Sequence, residues 1–355
     1  MIFWILILIL FVFFIHFDYS NSQKKHVLFL LVTCVLTFLS GFRDFSIGND
    51  TIAYVDIFDN LKGINYSLSL IETRYELGYL YLNELFINLD LSVNYLFLFI
   101  SIFISYSFSI FIKKYTHYAF FALFLFVGLR YYFASFNVLR QYIALSIFLI
   151  AITKFRITRK NLIIASFLGA FFHYSSFILL LLPIIYKVNI SRRIILLFSI
   201  STGILLLLFN TVFLFVVSRL NLYSQYLSSK SVIGDSYIAS LMYSLISLCV
   251  LLLVWKTRYL ERNKDVHTNL FVWMLIFSFF FNILAIQVSL LDRFAVYFNI
   301  VTIILIPNCI PFINSKNRLF FKIIIKLIVI IYFIILLVYR PEWNNVFPYK
   351  LNFLN

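Results

Sequence analysis

Three arginines stand apart from the other basic residues of this chain. Arg43 lies in "GFRDFSIGNDTIAYVDIFDNL" (41–61), Arg140 in "YYFASFNVLRQYIALSIF" (131–148) and Arg293 in "QVSLLDRFAVYF" (287–298). Each is single and sits at or just inside the end of an apolar run. A guanidinium is always charged, and its planar fork matches a phosphate with two parallel hydrogen bonds. Several converging from separate helices form a site for an anion; the alternative for each is an interfacial anchor or an aspartate pair. His173, in "AFFHYSSFILLLLP" (170–183), adds a group that titrates near neutrality and can shuttle a proton or donate to a phosphate. Its alternative is a packing histidine bonded to Ser175 and Ser176.

The elements that must position these groups are apolar. Of 355 residues, 45 are phenylalanine and only 12% are charged, and the mean hydropathy is +0.99. That charge share is about half that of a soluble domain. Apolar runs recur from end to end, each long enough or nearly so to cross a bilayer as a helix. The chain therefore reads as one integral membrane domain, 1–355, all-α and polytopic. The run "IFWILILILFVFFIHF" (2–17) lacks a basic leader and a small-x-small cleavage pattern, so it reads as an uncleaved first span. Cys34, Cys249 and Cys309 lie far apart in apolar runs, which excludes a CxxC pair and leaves small packing residues. Neither HxxxH nor DxD occurs, and no metal or cofactor is expected. The net charge of +15 sits in short clusters between apolar runs. This is the pattern of cytoplasmic loops and argues against nucleic acid as a partner.

Six clusters (Lys24-Lys25, Lys113-Lys114, Lys154–Lys160, Lys187–Arg193, Lys256–Lys264 and Lys316–Lys326) hold nineteen of the 29 basic residues. Placing all six in the cytoplasm requires spans at 2–17, 26–42, 93–112, 118–134, 138–153, 161–172, 174–187, 194–217, 238–255, 268–288, 294–313 and 322–339. That is about twelve, with both termini outside. Residues 43–92 then form an extracytoplasmic loop. Within it, 76–90 ("ELGYLYLNELFINLD") makes a helix of about 22 Å, short of the ~30 Å hydrocarbon core. Glu76, Asn83, Glu84, Asn88 and Asp90 fall in one polar stripe, so an in-plane or re-entrant amphipathic helix is expected. If it crossed, the first two spans would invert. Residues 161–186 are flanked by basic clusters, so the charge rule demands a hairpin turning at His173. The outer face is left with Arg43, Arg74, Arg130, Arg140, Arg219, Arg293, Arg340 and most of the acids. A lipid-linked diphosphate is the candidate anion there.

In chain order, "RDFSIGNDTIAYVDIF" (43–58), "TRYELGYLYLN" (73–83), "NVLRQYIALSIFLIA" (137–151), "AFFHYSSFILLLLP" (170–183), "LDRFAVYF" (291–298) and "NNVFPYK" (344–350) resemble the EpsG-type family of Wzy-like O-antigen and exopolysaccharide polymerases. The resemblance implies a membrane glycosyltransferase of the bacterial cytoplasmic (inner) membrane, multi-pass, acting at its extracytoplasmic face. It would polymerise undecaprenyl-diphosphate-linked oligosaccharide repeat units, with a flippase and a chain-length regulator as partners. Under it, Arg43, Arg140, Arg293 and then Arg74 hold the leaving diphosphate. Asp50, Glu76 and His173 are the candidates for the base that receives the acceptor proton. Asp44 and Asp292 orient the arginines they adjoin, and the Gly48-Asn49 turn folds Asp50 and Tyr54 over the cavity. Tyr54, Tyr75, Tyr79 and Tyr131 either stack on sugars or join the interfacial aromatic belt. Two rivals carry the same diphosphate chemistry: a lipid-linked oligosaccharide flippase, against which the lack of an internal repeat counts, and an O-antigen ligase.

Overall fold

A segment facing lipid must close its own backbone hydrogen bonds, and the apolar runs of this chain do so as helices. The computed structural model describes residues 7, 11–12, 23–62, 75–191, 193–198, 200–204, 206–208 and 237–352. Among them the regular elements are helical, with one isolated antiparallel bridge between Arg43 and Leu351. The chain packs as two compact units, Met1–Phe177 with Ile313–Asn355, and Ile178–Phe312.

The first unit holds α1 (Gln23–Gly41), α2 (Thr51–Lys62), α3 (Leu77–Asn88), α4 (Val93–Tyr115), α5 (Ala119–Gly128), α6 (Tyr131–Asn137), α7 (Leu139–Lys154) and α8 (Arg159–Ala170). The second holds α9 (Tyr237–Lys256), α10 (Val266–Ala285), α11 (Asp292–Asn299) and α12 (Thr302–Cys309); α13 (Ser315–Tyr339) returns to the first. Buried hydroxyls join helices that have no hydrophobic drive to associate in lipid. Ser40 meets Ser101 at 2.8 Å between α1 and α4, and Ser107 meets Ser146 at 2.8 Å between α4 and α7. In the second unit Ser247 meets Ser278 at 2.6 Å, while Ser278 and Asn282 both donate to Asn299 Oδ1 at 2.7 Å.

Among the described residues four helices, α4, α9, α10 and α13, are long and apolar enough to cross a membrane. The pair α5–α6, bent by 51°, and the pair built around α11 and α12, bent by 47°, raise the number to six if each is one span. The described residues thus account for four to six of the about twelve spans expected. Helices stand close to the expected positions, but α7 and α8 have 16 and 12 residues, about 24 and 18 Å. Most of the expected 2–17 span, the end of 194–217, Arg74 and Arg219 lie outside the described residues. The hairpin in 161–186 does turn at its expected place. His173 N–H bonds Gly169 O at 2.9 Å, and Ser176 Oγ returns to Ser166 O at 2.9 Å.

Two expectations are corrected in part. The polar stripe expected on α3 is divided: Asn88 and Asp90 are exposed and Glu84 is half-buried, whereas Glu76 and Asn83 are buried, Asn83 donating to Tyr79 O at 2.6 Å. Leu77, Tyr81, Leu85 and Leu89 are exposed as well. The last helix starts earlier than the expected 322: α13 begins at Ser315, and Lys322 and Lys326 both fall on its inward stripe with Val329, Phe333 and Leu336. Their ammoniums lie over Tyr118 (4.7 Å) and Phe121 (5.5 Å), where ring faces offset part of the lost hydration.

The loop after α1 is closed by the end of the chain. Asp44 N–H bonds Lys350 O at 3.0 Å, Asn352 N–H bonds Phe42 O at 2.8 Å, and Tyr349 Oη donates to Leu39 O. Gly48 turns this loop with φ +91°, and an added Cβ would lie 2.6 Å from Thr51 Oγ1 and 3.0 Å from Phe136 O. Gly48→Ala meets a left-handed backbone and a fixed carbonyl together. A loss of at least about 1 kcal/mol is expected, read as a lower Tm of the detergent-solubilised protein; an unchanged Tm would contradict this packing.

Candidate active site

The site forms where the start of α3 touches the turn after α8. Gly78 N–H donates to Phe171 O at 2.8 Å, and a Cβ on Gly78 would stand 2.6 Å from that same oxygen. Only glycine permits this approach, and it carries Glu76, two residues earlier, up to His173, two residues later. Glu76 Oε1 meets His173 Nδ1 at 2.8 Å and accepts the Tyr174 backbone N–H at 3.2 Å. Its other oxygen, Oε2, accepts from Arg140 Nη1 in the first turn of α7. The Tyr75 ring lies 4.5 Å from the Arg140 guanidinium. The Tyr54 phenol donates to Asn137 O at 3.2 Å.

The three side chains are not sealed. Exposure is 5% for Glu76 but 14% for His173 and 18% for Arg140, so the imidazole and guanidinium have an open edge. Burial works to raise the Glu76 carboxyl, but the His173 hydrogen bond and the Arg140 charge outweigh it and hold the carboxyl below its ordinary value. An ionised Glu76 accepts at Nδ1, which must then carry the proton. The other ring nitrogen, Nε2, keeps a lone pair able to take a proton from a hydroxyl.

The remaining predicted site residues are dispersed. Arg43 is 1% exposed, with Nη1 on Ser40 O at 2.6 Å and its guanidinium 5.0 Å from both the Phe97 and Phe136 rings. It is enclosed in an aromatic box beneath the loop, not presented as a clamp. Asp44, expected to orient it, instead accepts from Ser46 Oγ at 2.6 Å and Ser46 N–H at 3.0 Å. Those two bonds hold its carboxyl below the usual range. The correction is geometric: the side chain closes a local turn, so no ion pair with Arg43 forms. Asp50 is exposed just before α2, while Tyr54 is buried with its ring 5.5 Å from Tyr79. Asp292 and Arg293 belong to the second unit, where Arg293 is exposed. Sequence reasoning missed Gly78 and Asn137. The glycine directly after a glutamate-leucine pair at a helix start was the available signal for the first; the second had none.

Among the described residues no group of three or more His, Cys, Asp or Glu could hold a metal ion. Because the folded Glu76 carboxyl titrates below its unfolded value, it contributes stability above that value and loses it as pH falls through the folded one. Glu76→Gln should cost about 2 kcal/mol at neutral pH, less than the ~3–5 kcal/mol of a sealed pair because Arg140 retains solvent contact. The variant should also lose part of the acid-side fall in Tm. Thermal unfolding from pH 7 to about pH 2 reads both, and parallel curves for the two proteins would contradict the ionised carboxylate.

No curated protein and no solved structure matches this chain. A family model does, over residues 26–351, so the matched region takes in the first-unit cluster and the terminal segment that closes its loop. The membrane-embedded helices and this nearly full-length match agree in kind: the chain belongs to the EpsG family, a family of Wzy-like polysaccharide polymerases.

Proposed function

We propose that this protein extends a surface polysaccharide (O-antigen, capsule or exopolysaccharide) at the outer face of the bacterial cytoplasmic membrane. Glycan carried on undecaprenyl diphosphate is transferred to a hydroxyl of the next lipid-linked repeat unit. The acceptor hydroxyl gives its proton to His173 Nε2 as its oxygen bonds the donor sugar C1. The bond from C1 to the diphosphate oxygen breaks, and undecaprenyl diphosphate leaves with the electron pair. Glu76 holds the imidazole in the required tautomer and stabilises the imidazolium that forms, the role a carboxylate plays behind a histidine base. Arg140, beside the open edge, meets the charge growing on the leaving diphosphate. Arg74 is proposed to complete that clamp. Arg43 contributes its charge from beneath the loop without touching substrate, and Asp50 is proposed to face the acceptor sugar and not its proton.

The observation that carries this reading is the carboxylate of Glu76 held between a histidine and an arginine that both keep solvent contact. With Glu76 already accepting three donors, His173 is the better base. The host's surface glycan, run on a gel after gene deletion and complementation, tests it. His173→Asn should lower polymerisation by about 10²-fold or more, and Arg140→Ala by a comparable factor. Both should leave single repeat units on the surface, while Asp50→Asn stays within about twofold of wild type. Loss of the single unit as well would indicate a flippase or a ligase, and a full ladder from His173→Asn would remove the base.

A further inference from the structure

Resting on the polymerase reading, we propose that the C-terminal segment 343–352 is part of the active-site scaffold, with Asn344 a positioning residue that sets Arg140 through Asn137. Helix α7 starts at a break: Val138 is non-helical (φ −92°, ψ 54°) and offers no side-chain cap. No side-chain cap therefore ties down the first turn, where Arg140 sits and where the first backbone donors lack helical partners. Asn137 supplies the missing ties. Its Oδ1 accepts Asn49 N–H at 2.8 Å, its Nδ2 donates to Asn344 Oδ1 at 2.6 Å, and its carbonyl accepts Tyr54 Oη at 3.2 Å. Asn137 lies three residues before Arg140, so the path from Asn344 runs through Asn137 into the first turn of α7 and, by way of Arg140, to Glu76.

The terminal turn is held against local preference. Asn344 and Asn345 are consecutive left-handed residues, with φ 65° and 42°. Such backbone persists where surrounding contacts over-determine it. Those contacts are here: Arg130, itself left-handed at φ 67°, donates to Trp343 O, and Asn345 Nδ2 donates to Ser46 O at 2.7 Å. Two left-handed joints and the α6–α7 break thus meet at one place, and the amide pair Asn137–Asn344 bridges them. Among the contacts found for it, Asn344 touches neither Glu76 nor His173, so its effect on the reaction passes through Asn137.

The test uses the full-length protein in lipid nanodiscs with lipid-linked repeat units, comparing wild type, Asn344→Gly, Asn344→Asp and Arg140→Ala. Glycine keeps the left-handed backbone without strain but removes the amide; aspartate keeps an acceptor for Asn137 Nδ2. For Asn344→Gly, kcat should fall about 10- to 100-fold, the scale of a small misplacement of a reacting group. Its Tm and its KM should stay near wild type, and Asn344→Asp should retain kcat within about twofold. Wild-type kcat in Asn344→Gly, or equal losses in the glycine and aspartate variants, would overturn the proposal. Hydrogen exchange of the 138–142 amides is the arm independent of turnover. Faster exchange there in Asn344→Gly supports the positioning path, and unchanged exchange overturns it. Polymer absent from wild-type nanodiscs but exchange altered as expected would refute the polymerase reading alone.

Discussion

A carboxylate withdrawn from water into an apolar protein stays charged only if donors meet it, and Glu76 is met by three from two separate places. Arg140 arrives from α7, and His173 and Tyr174 arrive from the turn after α8. An unmet buried charge would cost several kcal/mol, so α3, α7 and that turn must converge or the fold loses the site. The close approach at Gly78 is the local consequence of this demand. The same demand shapes the chemistry. A histidine backed by an ionised carboxylate and flanked by a guanidinium is ready to take one proton while a second charge develops nearby. Proton acceptance and leaving-group stabilisation are then neighbours by construction.

Around that centre the chain's distant parts are tied together by amides and backbone, not by surface ion pairs. Asn137 joins residues 88 and 207 positions away, and the terminal segment bridges Arg43 through Leu351. Arg43 itself lies between two phenylalanine rings with one strong bond to Ser40 O. A guanidinium suits that place better than an ammonium, since it is more weakly hydrated and stacks on ring faces. Its role in the fold is to anchor the loop that delivers Asn49 and Tyr54 to Asn137.

What was legible in the sequence followed from cost. A single arginine, glutamate or histidine beside an apolar run is expensive, so Arg140, Glu76 and His173 stand out by residue type and place alone. Their partnership does not, because Glu76 lies 64 residues from Arg140 and 97 from His173 and no local pattern encodes such a distance. Arg43 and Asp44 mislead for the opposite reason: adjacent in sequence, they point to different tasks. Counting basic residues groups Lys322 and Lys326 with a cytoplasmic cluster and does not show that both lie on the inward side of a helix, because charge counts ignore which side of a helix a residue occupies. The polar stripe on α3 is kept only in part, since Asn83 turns inward while Asn88 and Asp90 stay exposed, a split that spacing alone does not encode. Helix positions are read well from hydropathy, but bends at Arg130 and before Thr302 are settled by tertiary contacts.

The most direct measurement is an experimental structure of the protein in nanodiscs with undecaprenyl diphosphate bound. The account requires a phosphate oxygen within hydrogen-bond distance of Arg140, with His173 Nε2 facing the space beside it and Glu76 still holding Nδ1. A diphosphate bound away from Arg140, or a His173 ring turned so that Nε2 is buried against protein, would contradict the central claim.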